Sequence, residues 1–389
     1  MATPPVTDDL APGVYRRDVF PPPAPTLLTG VPAFLGYAGQ GPVGDPQPLM
    51  LWPQFQAQFG APRAGGFLAY AVRGLFENGG LLCYVVRLDA EATPLDGLRA
   101  GLAALQAVDA VDLVCAPDIM ISASLTSAPD VKAVTALQAE VLADCQRTGG
   151  RFAILDAVLT SDTATAEQQR AALSSEDGAL YHPWLWAPEQ DGAPLYLPPC
   201  GHVAGIYARS DQQVGVHKAP ANEPVDGVLD LRVSLTDDVI GRLYAEGVNC
   251  LRAVPGRGIR VWGACTLSDD PGWRPIGARR VFLTMSRWLE RFMAQLVYEP
   301  NDVRLWVRIM RELTAYLDDE FQRGALKGRT PEEAFFVKCD SETNPPEVTD
   351  GGMVVTNVGL ALAAPAEFVY VRIIHGTSGV SIQPRSATA

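Results

Sequence analysis

An aspartate closing an apolar run, a histidine opening another and a serine among glycines are the residue types of acid–base–nucleophile chemistry. In this chain they are Asp156 in FAILDAV (Phe152–Val158), His202 in GHVAGIYA (Gly201–Ala208) and Ser378 in HGTSG (His375–Gly379). That chemistry needs a base within reach of the nucleophile's proton. Ser378 lacks the neighbours that set a nucleophile on a helix, and no serine of the α/β segment sits in a suitable turn. His182, His217 and His375 stand singly and far apart, without the clustering of a metal site. PGRGIRVWG (Pro255–Gly263) is glycine-rich but lacks the G-x-x-x-x-G-K-[ST] phosphate loop. The seven cysteines Cys83, Cys115, Cys145, Cys200, Cys250, Cys265 and Cys339 are scattered without a C-x-x-C pair. They are expected to be reduced, buried thiols. The expectation is no catalytic residue, no metal and no cofactor.

The elements around these residues alternate. After a polar start, GVYRRDVF (Gly13–Phe20) reads as a short strand, and PPPAP (Pro21–Pro25) must be extended because proline fixes φ. A buried strand is expected over Ala33–Tyr37, then a helix carrying Phe67, Leu68, Ala71, Val72, Leu75 and Phe76 and stopping at Asn78-Gly79-Gly80. From about Leu95, strands VDLVCAPD and RFAILDAV flank an amphipathic helix, the signature of a largely parallel sheet. The polar stretch Ser161–Leu180 reads as a second helix. Cys250–Val254 and Ile259–Ala264 read as a hairpin. Two long helices follow, one marked by Val281, Met285, Trp288, Leu289 and Phe292, the other by Leu305, Ile309, Leu313, Tyr316 and Phe321. TPEE (Thr330–Glu333) opens a short helix; then come the strand FFVKC, the turn NPPEVTDGG, the strand MVVTNVGLAL and a last strand, Phe368–His375, before a tail. The fold class expected is mixed α/β: an arm (1–25), an α/β domain (26–270), a helix-rich domain with a small sheet (271–365), and a C-terminal arm and tail (366–389).

The 389 residues carry a formal charge of −13, which opposes binding to nucleic acid. No run approaches a membrane span and the N-terminus reads unlike a signal peptide, so synthesis and assembly in the cytoplasm without membrane insertion are expected. Within this acidic chain Arg279, Arg280, Arg287, Lys327 and Arg329 concentrate positive charge in the C-terminal part. They read either as solvated helix faces or as a basic patch facing a tube or a neighbouring subunit.

FAILDAV and GHVAGIYA resemble the aspartate and histidine motifs of subtilisin-like proteases. Aligning His202 with the second histidine of H-G-T-H-V-A-G, however, places Pro199, which is no base, at the catalytic position. A second resemblance runs from Pro12 to Ile373. PGVYRRDV, AFLGYAGQGPVGDP, GFLAYAVRGLFENGGLLCYVVRL, GVNCLRAVPGRGIRVWGACTLSDDPGWRPIGARR, VYEPNDVRLWVRI, GALKGRTPEEAFFVKCD and PAEFVYVRI together resemble the tail sheath proteins of contractile phages and phage-tail-like injection systems. That resemblance implies a subtilisin-like α/β domain without its chemistry, and a subunit stacked in hexameric rings around an inner tube. It also implies baseplate and terminal cap partners, and a phage tail or tail-like particle as the final location. Strands holding Val14, Tyr15, Arg16, Arg17 and Val19 at one end, and Phe368, Val369, Tyr370, Val371, Arg372 and Ile373 at the other, are then expected to complete the sheet of a neighbouring copy. The rival readings are an α/β-hydrolase-like enzyme and a non-polymerising baseplate or adaptor protein on the same fold.

Overall fold

The computed structural model describes residues 27–121, 130–188, 194–296, 299–362, 368–376 and 379–385. Val14, Tyr15, Arg16, Arg17 and Val19, expected to form an N-terminal strand, lie outside them, as does Ser378.

The chain runs through β1 (Pro32–Gly36), β2 (Gln47–Leu49), α1 (Trp52–Phe59), α2 (Leu68–Glu77) and β3 (Cys83–Arg87). The alternating part follows: α3 (Pro94–Ala104), β4 (Leu113–Cys115), α4 (Val131–Thr148), β5 (Phe152–Asp156), α5 (Thr163–Ala171) and β6 (Gly178–His182). Next come β7 (Leu185–Ala187), β8 (Leu195–Leu197), α6 (Cys200–Gln213), β9 (Asp230–Leu231), α7 (Asp237–Ala245), β10 (Val248–Val254) and β11 (Gly258–Trp262). The C-terminal part holds α8 (Ile276–Ala294), α9 (Val303–Gln322), α10 (Pro331–Ala334), β12 (Phe335–Lys338), α11 (Pro346–Asp350), β13 (Val354–Leu360), β14 (Val369–Gly376) and β15 (Gly379–Arg385).

The large sheet has the order β11-β10-β6-β5-β4-β1-β3-β2. Its interior is parallel, and only β11 and β2 at the edges run antiparallel. Because side chains alternate across a strand, single strands feed two cores. Phe34, Phe152, Ile154, Ala179 and Tyr181 face one side; Ala33, Leu35, Ala153, Leu155 and Leu180 face the other. Helices cover both faces, as a parallel sheet requires: α3, α4 and α7 on the second, α2, α6 and α8 on the first. The first core continues without a break through Met285 and Leu289 of α8 and Ile309 and Leu313 of α9 to Leu360 and Ile373 of the small sheet. A Trp288–Tyr316 stack, 3.8 Å between centroids, fastens α8 to α9.

Local chemistry sets the helix ends. Asp130 caps α4 by accepting from Lys132 N and Ala133 N at 3.1 Å, and Asp302 caps α9 through Arg304 N and Leu305 N. Gly149 ends α4 at φ +65°, where glycine pays no steric penalty. Three sequence expectations are corrected. The helix expected over Ser161–Leu180 stops at Ala171, and Gly178–Leu180 begin β6, a buried strand whose Gly-Ala start carries no β-branched residue. NPPEVTDGG contains the short helix α11 and is not a simple turn. The tail after His375 turns back as β15, pairing with β14 from Gly376↔Gly379 to Tyr370↔Arg385.

Candidate assembly site: an arginine-pinned helix and a four-stranded sheet

The residues that tempted a catalytic reading are spent inside the fold. Asp156 is buried at the end of β5 and accepts from Cys200 N at 2.7 Å, holding the N-terminus of α6 against the sheet. His202 is buried with Nδ1 unpartnered, against the helix face that Gly74 leaves open, and burial pulls its pKa down to about 4. No hydrogen bond joins Asp156 to His202 among the described residues. His182 is likewise buried, and burial lowers it to about 4. All seven cysteines are free and buried.

Burial also pushes the Asp156 carboxyl up to about 7, against the opposing hydrogen bond from Cys200. The native state then holds this proton over a range where the unfolded chain, near 3.9, has released it. Its contribution to stability therefore falls as pH rises from about 4 to about 7. Asp156→Asn keeps an acceptor for Cys200 N without a charge. It is expected to raise the urea midpoint most at pH 8, by a smaller amount at pH 5 and hardly at all at pH 4.

Two aspartates that sequence reasoning passed over organise the sheet ends. Asp118 accepts from Phe67 N at 2.6 Å and Leu68 N at 3.1 Å, at the start of α2, and from Tyr37 N at 2.6 Å, after β1. Gly36 makes this possible, since a Cβ there would stand 2.6 Å from Asp118 Oδ2. Asp112 accepts from Gly30 N at 3.0 Å and Val31 N at 2.6 Å, joining the entry of β1 to that of β4. Their one signal was VDLVCAPD: acids inside an otherwise apolar run, where a carboxylate must find buried donors.

The arginines of α8 are not a surface patch. Arg279, Arg280 and Arg287 are only 6%, 2% and 8% exposed, so the expectation that they face a tube or neighbour is corrected. Arg280 forks onto Asp211 of α6 at 2.6 and 2.7 Å, reaches Asp112 at 3.2 Å, and stacks over the Tyr207 ring at 4.8 Å. Burial works against its charge, yet these carboxylates hold its pKa above the usual guanidinium value. Arg279 donates to Asp177 at 2.8 Å and lies over the edge-to-face pair of Trp273 and Phe282, 4.8 and 5.0 Å from their ring centroids. Arg287 donates to Asp109 O at 2.7 Å and Ala110 O at 3.3 Å. Gly150 leaves room for its stem, since a Cβ there would meet Arg287 Cγ at 2.8 Å. One helix is thus bolted to the sheet domain at three points. Lys327 and Arg329 remain exposed.

The small sheet has the order β12-β13-β14-β15. Val369, Tyr370, Val371, Arg372 and Ile373 lie in β14, paired along its length with β13 of the same chain, from Val354↔His375 to Leu360↔Val369. In the single chain the C-terminal strand therefore closes onto its own sheet. Val371 and Ile373 face the core with Val358 and Thr356, whereas Asn357 and Arg372 lie on the opposite, half-buried face. The Phe336 ring lies over Gly359, its cross-strand partner, and meets Phe368 edge-on at 5.4 Å and Tyr370 at 5.7 Å. Glycine is needed at 359 because a Cβ would occupy the ring's place.

Comparison with known proteins resolves what this arrangement belongs to. The phage tail sheath protein central domain matches residues 97–267, and the phage tail sheath C-terminal domain matches residues 268–374. The chain belongs to the phage tail sheath protein family. It is a structural sheath subunit, and its boundary between family domains falls just before α8. The sheath of the anti-feeding prophage in its contracted state is 30% identical, with a TM-score of 0.73 covering 92% of this chain and 97% of that one. The sheath complex of the PVC extracellular contractile injection system, also contracted, is 29% identical, with a TM-score of 0.73 covering 94% and 97%. The tail sheath protein of Salmonella phage ViI is 23% identical over 180 residues, which are 45% of this chain and 28% of that protein. The chain thus spans under a third of the length of that phage relative. Structures of this kind come from sheath and baseplate assemblies. No described helix is long and apolar enough to cross a membrane.

Proposed function

We propose that copies of this chain stack as rings around an inner tube and contract to drive that tube through a target envelope, with baseplate and terminal cap proteins closing the ends. The observation that carries this reading is the small sheet. Its last two strands form a hairpin that pairs with β13 in full register and is tethered only by the segment between Leu360 and Val369. The same backbone bonds can close within one chain or onto β13 of the next, the low-cost exchange by which identical elements link protomers. The N-terminal strand with Val14, Tyr15, Arg16, Arg17 and Val19 would add at an open edge of the sheet. Each inter-strand bond is worth only about 1 kcal/mol net, but every copy both gives and receives a strand, so links accumulate along the particle.

Exposed Lys327 and Arg329 would meet carboxylates of the tube or a neighbour. The pinning of α8 supports rigid-body motion of whole subunits on contraction, with the strand links as hinges. Assembly would take place in the cytoplasm, and the product would be a phage tail or tail-like particle. Electron microscopy of the chain co-expressed with its tube protein tests the reading: tubes of uniform width are expected. Dispersed protomers alone, together with peptidase turnover, would refute it.

A further inference from the structure

A cavity of about 560 Å³ lies on the seam between the two family domains, lined by the segment after α3, by the end of α4 with its loop into β5, and by the second half of α8. Four arginines converge on it, Arg147 and Arg151 from the central domain and Arg287 and Arg291 from α8. In a chain of net charge −13 this is a local reversal of sign. The acids nearby do not use these guanidiniums up. Asp144 is shared by Arg147 and Arg151, whereas Arg287 and Arg291 both donate to the neutral carbonyl of Asp109. Arg287 spends Nη2 on that carbonyl and on Ala110 O, while its Nη1 is buried with no partner among the described residues.

Burial holds Arg287 below the usual guanidinium pKa, and the charges of Arg291 and Arg151 lower it further, against the pull of Asp112 and Asp109. Asp112 is already engaged by Arg280. Glu290, which lines the cavity with Asp109, is pushed up by burial and so gives up its proton less readily. An entering anion relieves the repulsion among like charges that folding has brought together. Guanidinium forks match the paired oxygens of a carboxylate or a phosphate. Several of them around one cavity favour the phosphate, which brings roughly −1.5 to −2 charges and three acceptor oxygens at neutral pH. Val108, Val111 and Ala294 add an apolar wall, and the volume lies within the ~300–1,000 Å³ of small-molecule sites. We propose that this cavity binds one phosphate group, free or carried by a small molecule, on Arg147, Arg287 and Arg291, and that the bound group ties α8 to the central domain. This does not depend on assembly and is tested on the dispersed full-length chain.

The chain, in chloride at fixed ionic strength and neutral pH, is titrated calorimetrically with inorganic phosphate, with adenosine monophosphate and with acetate. Saturable binding of one phosphate group per chain with a Kd below ~1 mM is expected, and acetate should bind at least about tenfold more weakly. Tighter binding of the nucleotide assigns the site to a phosphate on a molecule that also covers the apolar wall; equal or weaker binding assigns it to free phosphate. Two variants test the location. Arg291→Gln removes an exposed guanidinium, and Ala294→Glu sets a carboxylate at the cavity while keeping every arginine. Each should weaken phosphate binding about tenfold with an unchanged urea midpoint in chloride. Saturable binding of neither phosphate compound, acetate bound as tightly as phosphate, or affinity unchanged in both variants would overturn the proposal.

Discussion

Replacing Arg280 by alanine is expected to remove about 3–5 kcal/mol of stability at pH 7, the loss that follows when one member of a buried ion pair is deleted. The guanidinium stands between Asp211 and Asp112. Asp112 keeps the amides of Gly30 and Val31, whereas Asp211 loses its bidentate partner within the core. The deficit should shrink in acid, once the stranded Asp211 carboxyl, already pushed up by burial, takes up a proton and its desolvation penalty disappears. Arg280→Lys keeps the charge but not the fork and should fall between wild type and alanine. Urea titrations at pH 7 and pH 4 measure both effects. A loss below about 1 kcal/mol at pH 7 would mean that the pair is solvated, as surface bridges are.

That substitution matters because of where the arginine sits. α8 opens the sheath C-terminal domain, and Arg279, Arg280 and Arg287 tie it to Asp177, to Asp211 and Asp112, and to the carbonyls of Asp109 and Ala110, all within the central domain. One apolar core also runs through both parts. A subunit joined in this way has little scope to bend between its two halves. In the proposed assembly, motion would then occur between copies rather than within one.

Much of this architecture could be read from the residues. The alternation from VDLVCAPD to RFAILDAV becomes β4, α4 and β5, the β10–β11 hairpin turns where Pro255-Gly256-Arg257-Gly258 placed it, and the apolar stripes of α8 and α9 face the core. What escaped was what depends on distant partners. Arg279, Arg280 and Arg287 carry the same charge as a solvated patch, and only the aspartates and backbone carbonyls brought to them across 69 to 178 residues of chain make them interior. Asp118 looked like an ordinary loop acid because its donors, Tyr37, Phe67 and Leu68, lie 50 to 81 residues away. The β15 strand was hidden by a tail of Ser, Gln and Pro that lacks the apolar run of a buried strand, and it forms because β14 offers it an edge. The pairing of β14 with β13 within the chain follows from two runs that are both rich in valine and lie close together in sequence.

Whether that pairing passes between copies is the point on which the proposed mechanics turn. Asn357 and Arg372 are direct partners across β13 and β14, on the face away from the core. Cysteines at both positions therefore report which chain supplies β14. In the dispersed protein they should close within one chain and give a compact monomer. In assembled particles, oxidised and run on a non-reducing gel, the account predicts a ladder of covalently linked multimers reaching the top of the lane, because each copy's β13 holds the β14–β15 hairpin of another. Particles that form normally yet give only the intrachain monomer would contradict it.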